Sequence, residues 1–177
     1  MACDITIGRL EPCSDAQGGL SQVLFMNFEA APYSGFTFVA DEITDGGSIS
    51  ANCYQYDLVG TANTFEESNE GGRETGSNFW LQTGTIVLKK QDKVTTKELK
   101  LLAVGRPKIL VKDQNGDYRL SGAEFGCDVK IDTTTGGAMG DLNGYNITWT
   151  ANERSPASYV SGSIVGAGLD FIPVVGT

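Results

Sequence analysis

Four carboxylates whose chemistry suits acid and base catalysis lie together in the polar segment 62–77. They are Glu66, Glu67, Glu70 and Glu74. A catalytic carboxylic acid generally needs a desolvated pocket that raises its pKa. A glycine-rich acidic segment indicates instead a solvated or intersubunit loop. We therefore predict that the chain has no catalytic residue and is not an enzyme, and a carboxylate-only glycosidase is the least favoured alternative.

A second group of acidic residues follows part of the EF-hand calcium pattern. Asp113, Asn115, Asp117 and Glu124 occupy positions one, three, five and twelve of that pattern. The sharp turn of such a loop needs glycine at position six, where this chain has Tyr118. Strand-like residues flank the segment, and its Asn-Gly pair is the strongest short-range hairpin signal. We therefore predict a β-hairpin without metal.

A third motif, TTTGGAMGDLNG, contains Gly136, Gly137 and Gly140 and has the glycine content of a phosphate-binding loop. It lacks the lysine of a P-loop and no helix follows it. A flexible connection between strands is the better interpretation. We predict no cofactor for this chain.

The chain has no histidine, which excludes triads with an imidazole base and every histidine-ligated metal site. Four cysteines, at positions 3, 13, 53 and 127, are far apart and form no C-x-x-C pair. Neither a zinc site nor a disulfide framework is favoured, and we expect all four to be reduced. The N-terminus has no apolar signal region, so the sequon at Asn146 is expected to stay unmodified. The apolar stretches are too short to span a bilayer.

Composition and charge fit one domain with a substantial core. The 177 residues are 40% apolar and 20% charged, with 23 glycines, as expected for a β-rich domain with many turns. The 22 acidic and 13 basic residues give a net charge of −9. This charge disfavours tight binding of nucleic acid, but an acidic wall past which DNA moves is compatible with it.

Alternating apolar and polar residues predict a mainly β fold. In strand 78–90 we expect a bend or bulge at Gly84, because that strand is long for a small sheet. The predicted strands are 21–28, 52–61, 78–90, 108–112, 118–121, 123–132 and 144–153.

One short helix is predicted at about 96–104. Thr95 and Glu98 have the spacing of a capping box, and Gly105 followed by Pro107 supplies the end. Such a short helix must pack on a sheet to be stable.

Several segments lie outside this pattern. The polar segments 41–50 and 62–77 are predicted to be long loops, which are usually functional or interaction elements. Residues 1–20 are an N-terminal arm and 161–177 a C-terminal extension. The part 161–173 is apolar and strand-like. A strand formed by these residues can finish on a neighbouring subunit.

Aromatic residues alternate with polar ones within the predicted strands, which is typical of a core or an interface. A surface that stacks nucleic-acid bases would also need nearby arginines. The residues are Tyr54, Tyr56, Trp80, Tyr145 and Trp149.

Four stretches give the chain a resemblance to the tail tube (major tail) proteins of bacteriophages. They are ACDITIGRLEPC, TTKELKLLAVGRP, DQNGDYRLSGAEFG and TTTGGAMGDLNGYNITWTANERSPASYV. Together they span nearly the whole chain. One departure is the segment 161–177, which continues beyond the point where such sequences are expected to end.

The resemblance implies a single tail-tube-like domain over 1–177, a β-sandwich or barrel with one flanking helix. It also implies hexameric rings that stack into a tail tube through which viral DNA passes without specific binding. The implied partners are further copies of the chain, the tape measure and terminator proteins, and a sheath in contractile tails. The implied location is the virion tail, and the host cytoplasm during assembly.

Two alternatives remain open at this point. One is a neck or tail-terminator protein that forms a single ring. The other is a carbohydrate-binding β-sandwich, in which exposed Trp80, Trp149 and the tyrosines would bind the ligand.

Overall fold

Strands dominate the structure, a computed structural model that describes residues 5, 7–39, 41–45, 50–60, 62–72, 74–160 and 170–175. The prediction of a mainly β fold with one α-helix is confirmed within these residues. Two short 3-10 helices, Phe28–Ala30 and Tyr33–Gly35, follow the first strand. The other elements are β1 (Leu20–Met26), β2 (Thr37–Val39), β3 (Glu42–Asp45), β4 (Ser50–Asp57), β5 (Thr64–Gly72), β6 (Ser77–Lys89), α1 (Lys93–Val104), β7 (Lys108–Asp113), β8 (Tyr118–Ser121), β9 (Asp128–Thr134), β10 (Gly144–Glu153), β11 (Ser158–Val160) and β12 (Asp170–Val175).

Eight strands form the larger sheet, in the order β12-β4-β1-β7-β8-β11-β3-β2. Neighbours are antiparallel except that β12 is parallel to β4 and β11 is parallel to β3. The predicted Asn-Gly hairpin joins β7 to β8 and is confirmed. Gly116 adopts a φ of 98° in its turn, which favours glycine.

Four strands form the smaller sheet, in the order β5-β6-β10-β9, and all its neighbours are antiparallel. β6 and β10 lie in the middle and β5 and β9 lie at the edges. Because side chains alternate along a strand, each strand turns every second residue toward the larger sheet.

One core cluster lies between the two sheets. Residues of β1 and β7 on the facing side of the larger sheet meet alternate residues of β6 and β10, and Leu99 of α1 closes one side. The main contributors are Val23, Phe25, Ile109, Val111, Ile86, Tyr145, Ile147 and Trp149.

A second cluster covers the opposite face of the larger sheet. Leu24, Met26 and Leu110 pack there with Ala31 and Phe36 from the segment that contains the 3-10 helices. β1 and β7 are therefore buried on both faces, which explains their continuous apolar runs. Within the described residues neither sheet closes on itself. The predicted sandwich is confirmed and the barrel alternative is wrong.

The helix α1 begins earlier than predicted. Asp92 is its N-cap, and the Asp92 carboxylate accepts hydrogen bonds from the backbone N–H groups of Val94 and Thr95 at 3.1 and 3.2 Å. The prediction that Thr95 and Glu98 form the capping box is wrong, because the helix begins at Lys93 with Asp92 as its N-cap, so Thr95 already lies inside its first turn. Gly105 ends the helix as predicted.

Both segments predicted as long loops contain strands. In 41–50, residues Glu42–Asp45 form β3. In 62–77, residues Thr64–Gly72 form β5, which pairs along its whole length with β6. The long-loop prediction is therefore wrong for 62–77. The segment has few β-branched residues, and it is a strand because β6 supplies its hydrogen-bond partners.

Gly84 does not mark a bulge, since the registers of β6 with β5 and with β10 run through it without a shift. It lies opposite Trp149 in the β6–β10 pairing, and a Cβ at this position would overlap the Trp149 indole. Glycine is therefore required by close packing, and the bulge prediction is wrong.

The last two strand predictions to compare with the structure are 123–132 and 161–173. The strand predicted at 123–132 begins at Asp128, after a turn. Of the strand predicted at 161–173, residues 161–169 lie outside the described residues. Asp170–Val175 form β12 beside β4 of the same chain.

Candidate functional site

The outer face of the smaller sheet is a polar surface built by regular structure. Side chains that point away from the core alternate with the buried ones on β5, β6, β10 and β9. They are hydroxyl, amide and charged groups with three apolar members: Thr64, Glu66, Ser68, Glu70, Ser77, Phe79, Leu81, Thr83, Thr85, Val87, Lys89, Asn146, Thr148, Thr150, Asn152, Asp128, Lys130, Asp132 and Thr134.

This face carries little positive charge. Its carboxylates are Glu66, Glu70, Asp128 and Asp132, and its cations are Lys130 and, at the end of β6, Lys89. The Lys130 ammonium lies 3.1 Å from the Asp132 carboxylate, so its charge is compensated. A face of this composition offers phosphate groups neither a basic cluster nor an aromatic platform.

Both edges of the smaller sheet are open. β5 and β9 each pair with one strand, and no other described strand lies beyond them. An edge strand presents unpaired backbone N–H and C=O groups, so it can pair with another chain. Edges of nine and seven residues are long for a protein that remains a monomer.

The far end of the β5–β6 hairpin projects from the sandwich. The described residues from Ser68 to Phe79 are exposed, and Phe79 is among them despite its apolar ring. Within the hairpin the Asn69 amide donates to the Asn78 side-chain oxygen at 2.7 Å. The end is therefore ordered by its own hydrogen bonds and available for contact with another molecule.

The four glutamates considered for catalysis do not converge. Glu66 lies on the outer face, and Glu67 points inward and accepts the backbone N–H of Ala157 at 2.6 Å. Glu70 accepts the Ser68 hydroxyl at 3.2 Å, and Glu74 lies in the hairpin turn. Because β5 is a strand, successive glutamates point to opposite faces.

The residues that match the calcium-loop pattern also make other contacts. The Asp113 carboxylate accepts the backbone N–H groups of Asn115 and Asp117 at 2.8 and 3.0 Å, and so stabilises the hairpin turn. Glu124 lies 3.3 Å from the guanidinium of Arg154. In the described part of the chain, no group of three or more acidic, cysteine or histidine side chains is placed to hold a metal ion.

The glycine-rich connection between β9 and β10 is closed by its own carboxylate. Asp141 accepts the N–H groups of Gly137 and Ala138 at 2.8 and 2.7 Å. These hydrogen bonds lower the pKa of Asp141. The N–H groups that would bind a phosphate are therefore already occupied.

The aromatic residues divide between core and surface. Trp149 and Tyr145 are buried, as predicted for the core. The Tyr145 hydroxyl lies 2.6 Å from the Thr96 hydroxyl and accepts the Asp92 N–H at 3.0 Å, which ties β10 to the start of α1. Tyr54 is exposed, and Trp80 is half-buried. Because Trp149 is buried, it does not contribute to a sugar-binding surface.

A buried charged pair was not predicted from the sequence. Lys108 is fully buried and donates to the carbonyl oxygen of Ala123. Burial lowers the pKa of Lys108 to about 8, opposed by the nearby Glu153. Burial raises the pKa of Glu153, although Glu153 accepts the N–H of Phe125 at 2.9 Å. Lys108 begins a strand, where a lysine usually indicates a solvated strand end, so no local sequence pattern indicated this pair.

Cys13 is exposed, and Cys53 and Cys127 are buried; all three are free. Burial raises the pKa of both buried thiols to about 12. Cys3 lies outside the described residues.

Comparisons of the chain with protein-family models, with curated proteins and with solved structures gave no match. No helix formed by the described residues is long and apolar enough to cross a membrane.

Proposed function

We propose that the chain is a virion structural protein that self-assembles into stacked rings, as the tail tube of a bacteriophage. The observation that supports this most is the smaller sheet, with its polar outer face and its two open edges. The sequence resemblance to tail tube proteins points to the same role. The proposal assigns no catalytic residue and no cofactor.

The strand directions allow the smaller sheet to continue from one subunit to the next. The sheet has four strands, each antiparallel to its neighbour. In a ring, every subunit has the same orientation along the axis. β9 of one subunit and β5 of the next are therefore antiparallel, and pairing them extends the alternating sheet without a break.

Such a contact joins two different edges, so each subunit can bind the next one in the same way. The subunits form a closed ring when the rotation between neighbours is a whole fraction of a full turn. Closure removes every open edge of the smaller sheet and so removes a risk of non-specific aggregation. Hexameric closure is the expectation that follows from the resemblance.

The outer face of the smaller sheet then lines the channel. Four carboxylates against two lysines, one of them paired with Asp132, leave this face slightly negative, which repels DNA phosphates. Hydroxyl and amide side chains cover the rest. DNA would pass such a wall without adhering to it.

Electron microscopy of the purified, concentrated protein in negative stain tests the proposal. Stacked rings or tubes are the expected result. Separate rings that never stack would favour the neck or tail-terminator alternative. A chain that stays monomeric at high concentration would overturn the proposal.

A shortened hairpin tests the role of the projecting β5–β6 end. Replacing residues 71–78 with Asn-Gly leaves Glu70 opposite Phe79, as in the native register, and closes the strands with a two-residue turn. We expect a folded subunit with a nearly unchanged Tm that no longer forms tubes. Normal tubes from this variant would contradict a role of the projecting end in assembly.

A further inference from the structure

A largely apolar cleft of the described chain lies between α1, β4 and the end of β1. Its volume is about 460 Å³. Phe28, Tyr54, Leu101 and Leu102 line it. Leu101 is 62% exposed, which is unusual for a leucine beside other apolar side chains. The cleft therefore has the character of an unfilled docking surface.

The N-terminal arm carries exposed apolar side chains, which complement the apolar cleft. Ile5, Ile7 and Leu10 are 94%, 84% and 92% exposed. The described residues before β1 form no helix or strand. Three large apolar side chains within six residues that are each at least 84% exposed indicate a segment that binds elsewhere.

The charges of the arm and the cleft are also complementary. The arm carries Arg9 and Glu11, and the cleft is lined by Glu29, Glu98 and Arg106. No described basic side chain forms an ion pair with Glu29 or Glu98. An arm that places Arg9 beside these carboxylates gains favourable contacts there, whereas Arg106 already lies 3.9 Å from the Asp128 carboxylate.

The attachment of the arm favours docking on another subunit. Gln17 is held at the β7–β8 turn by two hydrogen bonds with Asn115, of 2.8 and 2.9 Å. That turn lies beside the start of β1, whereas the cleft lies at the end of β1. The arm therefore leaves the subunit at the end opposite to its own cleft.

We propose that residues 5–11 of one subunit dock in the α1 cleft of a second copy of the chain. The inference rests on the proposed self-assembly, and it adds a contact that the open sheet edges do not provide. The apolar residues of the arm fill the cleft, and Arg9 fixes the register by pairing with Glu98 or Glu29.

Disulfide trapping between two separately purified variants tests this contact. One variant carries Ile7→Cys and the other Leu101→Cys, and both carry Cys3→Ser and Cys13→Ser to remove background thiols. Ile7 and Leu101 are exposed, so neither change disturbs the core. The matched control replaces Leu101→Cys by Lys100→Cys, an exposed neighbour on α1 that does not line the cleft.

We expect a disulfide-linked dimer of the two variants under mild oxidation, and a much weaker band with the Lys100→Cys control. Equal bands with Leu101→Cys and Lys100→Cys, or no linked dimer, would overturn the proposal. A chain that carries both Ile7→Cys and Leu101→Cys and forms this disulfide only within one molecule would also overturn the proposal. The arm would then fill the cleft of its own subunit.

Microscopy of the same samples separates this inference from the proposed function. Tubes without the specific linked dimer mean that the tail tube proposal stands and the arm contact is wrong. A specific linked dimer without rings or tubes means that the arm contact stands and the tube proposal is wrong.

Reversing the charges of Arg9 and Glu98 tests whether these residues pair when the arm docks in the cleft. Arg9→Glu on the chain with Ile7→Cys should lower the yield of linked dimer by about fivefold or more. Glu98→Lys on the chain with Leu101→Cys should restore it. A yield that neither change alters would contradict the proposed pairing.

Discussion

Lys108 places an ammonium group inside the second core cluster, close to two aromatic rings. Its Nζ lies 5.0 Å from the ring centre of Phe28 and 5.3 Å from that of Phe36. The rings and the Ala123 carbonyl compensate part of the cost of burying the charge. Burial nevertheless lowers the pKa of Lys108 from 10.5 to about 8.

This shift predicts how stability depends on pH. Above pH 8 the folded chain releases the Lys108 proton while the unfolded chain keeps it up to about pH 10.5. The unfolded state then binds more protons, so stability rises with pH. Relative to Lys108→Met, the wild-type free energy of unfolding should increase by about 1 kcal/mol between pH 8 and 9. Denaturant unfolding of both proteins at each pH measures this difference.

The comparison with Lys108→Met is needed because other groups titrate nearby. Burial raises the pKa of the Cys53 and Cys127 thiols from 9.0 to about 12. These thiols lower stability as pH rises above 9, and they do so equally in both proteins. The same pH dependence in the wild type and in Lys108→Met would show that Lys108 is not buried as a cation.

Gly84 gives a second prediction at the scale of single residues. Gly84→Ala forces a Cβ into the Trp149 indole and should destabilise the protein by about 1–3 kcal/mol. Gly140→Ala is the control, because a Cβ there meets open space. Adding Trp149→Phe to Gly84→Ala should recover part of the loss relative to the sum of the single changes. Strict additivity, measured by denaturant unfolding, would contradict the contact.

Alternation in the sequence predicted that Trp149 and Tyr145 lie in a core or an interface, but it did not separate them from exposed Tyr54, and it did not identify Lys108 or the need for Gly84. Trp149 and Tyr145 follow the period of a half-buried strand, so their burial could be predicted. Lys108 and Gly84 depend on what the larger sheet and β10 bring against them. Contacts between residues distant in the sequence leave no mark in a local pattern.

At the scale of elements, the start of α1 depends on Asp92. We expect Asp92→Ala to lower the Tm by a few degrees, because two N–H groups of the first turn lose their acceptor. Thr95→Ala, at the capping position predicted from the sequence, should change the Tm less. The hydrogen bonds lower the pKa of Asp92, so its stabilising contribution should disappear as pH falls through that lowered value. Thermal melts at neutral and acidic pH measure both effects, and equal losses from the two variants would contradict the assignment of the cap.

The errors in the predicted elements have a common physical cause. β5 is rich in glutamate, asparagine and glycine, which seldom form strands by themselves, and its partner β6 gives it that conformation. β2, β3 and β11 have three or four residues, too few for an alternating pattern to show. The candidate assembly surface was missed for the same reason, since it appears only once β5 is recognised as an edge strand.

At the scale of the whole molecule, the two sheets have different surroundings. Both sheets end in open edge strands within the described residues, but the larger sheet is covered on both faces over β1 and β7, whereas the smaller one leaves a polar face uncovered. This asymmetry is typical of a subunit whose smaller sheet is completed by neighbours. The location of the outer face of the smaller sheet in the assembly can therefore be tested.

Making the outer face of the smaller sheet basic should convert a passive channel into one that retains DNA. Asn146→Lys with Thr150→Lys places two ammonium groups on β10 while leaving its inward residues unchanged. Tubes of this variant should bind a short linear duplex, with an affinity that falls steeply with salt. They should not bind a closed circular plasmid, which cannot enter a lumen. Thr37→Lys with Val39→Lys, on exposed β2, is the matched control, and it should not distinguish the two DNA forms in this way. Equal binding of linear and circular DNA by the β10 variant, measured by co-sedimentation, would place this face on the outside of the assembly.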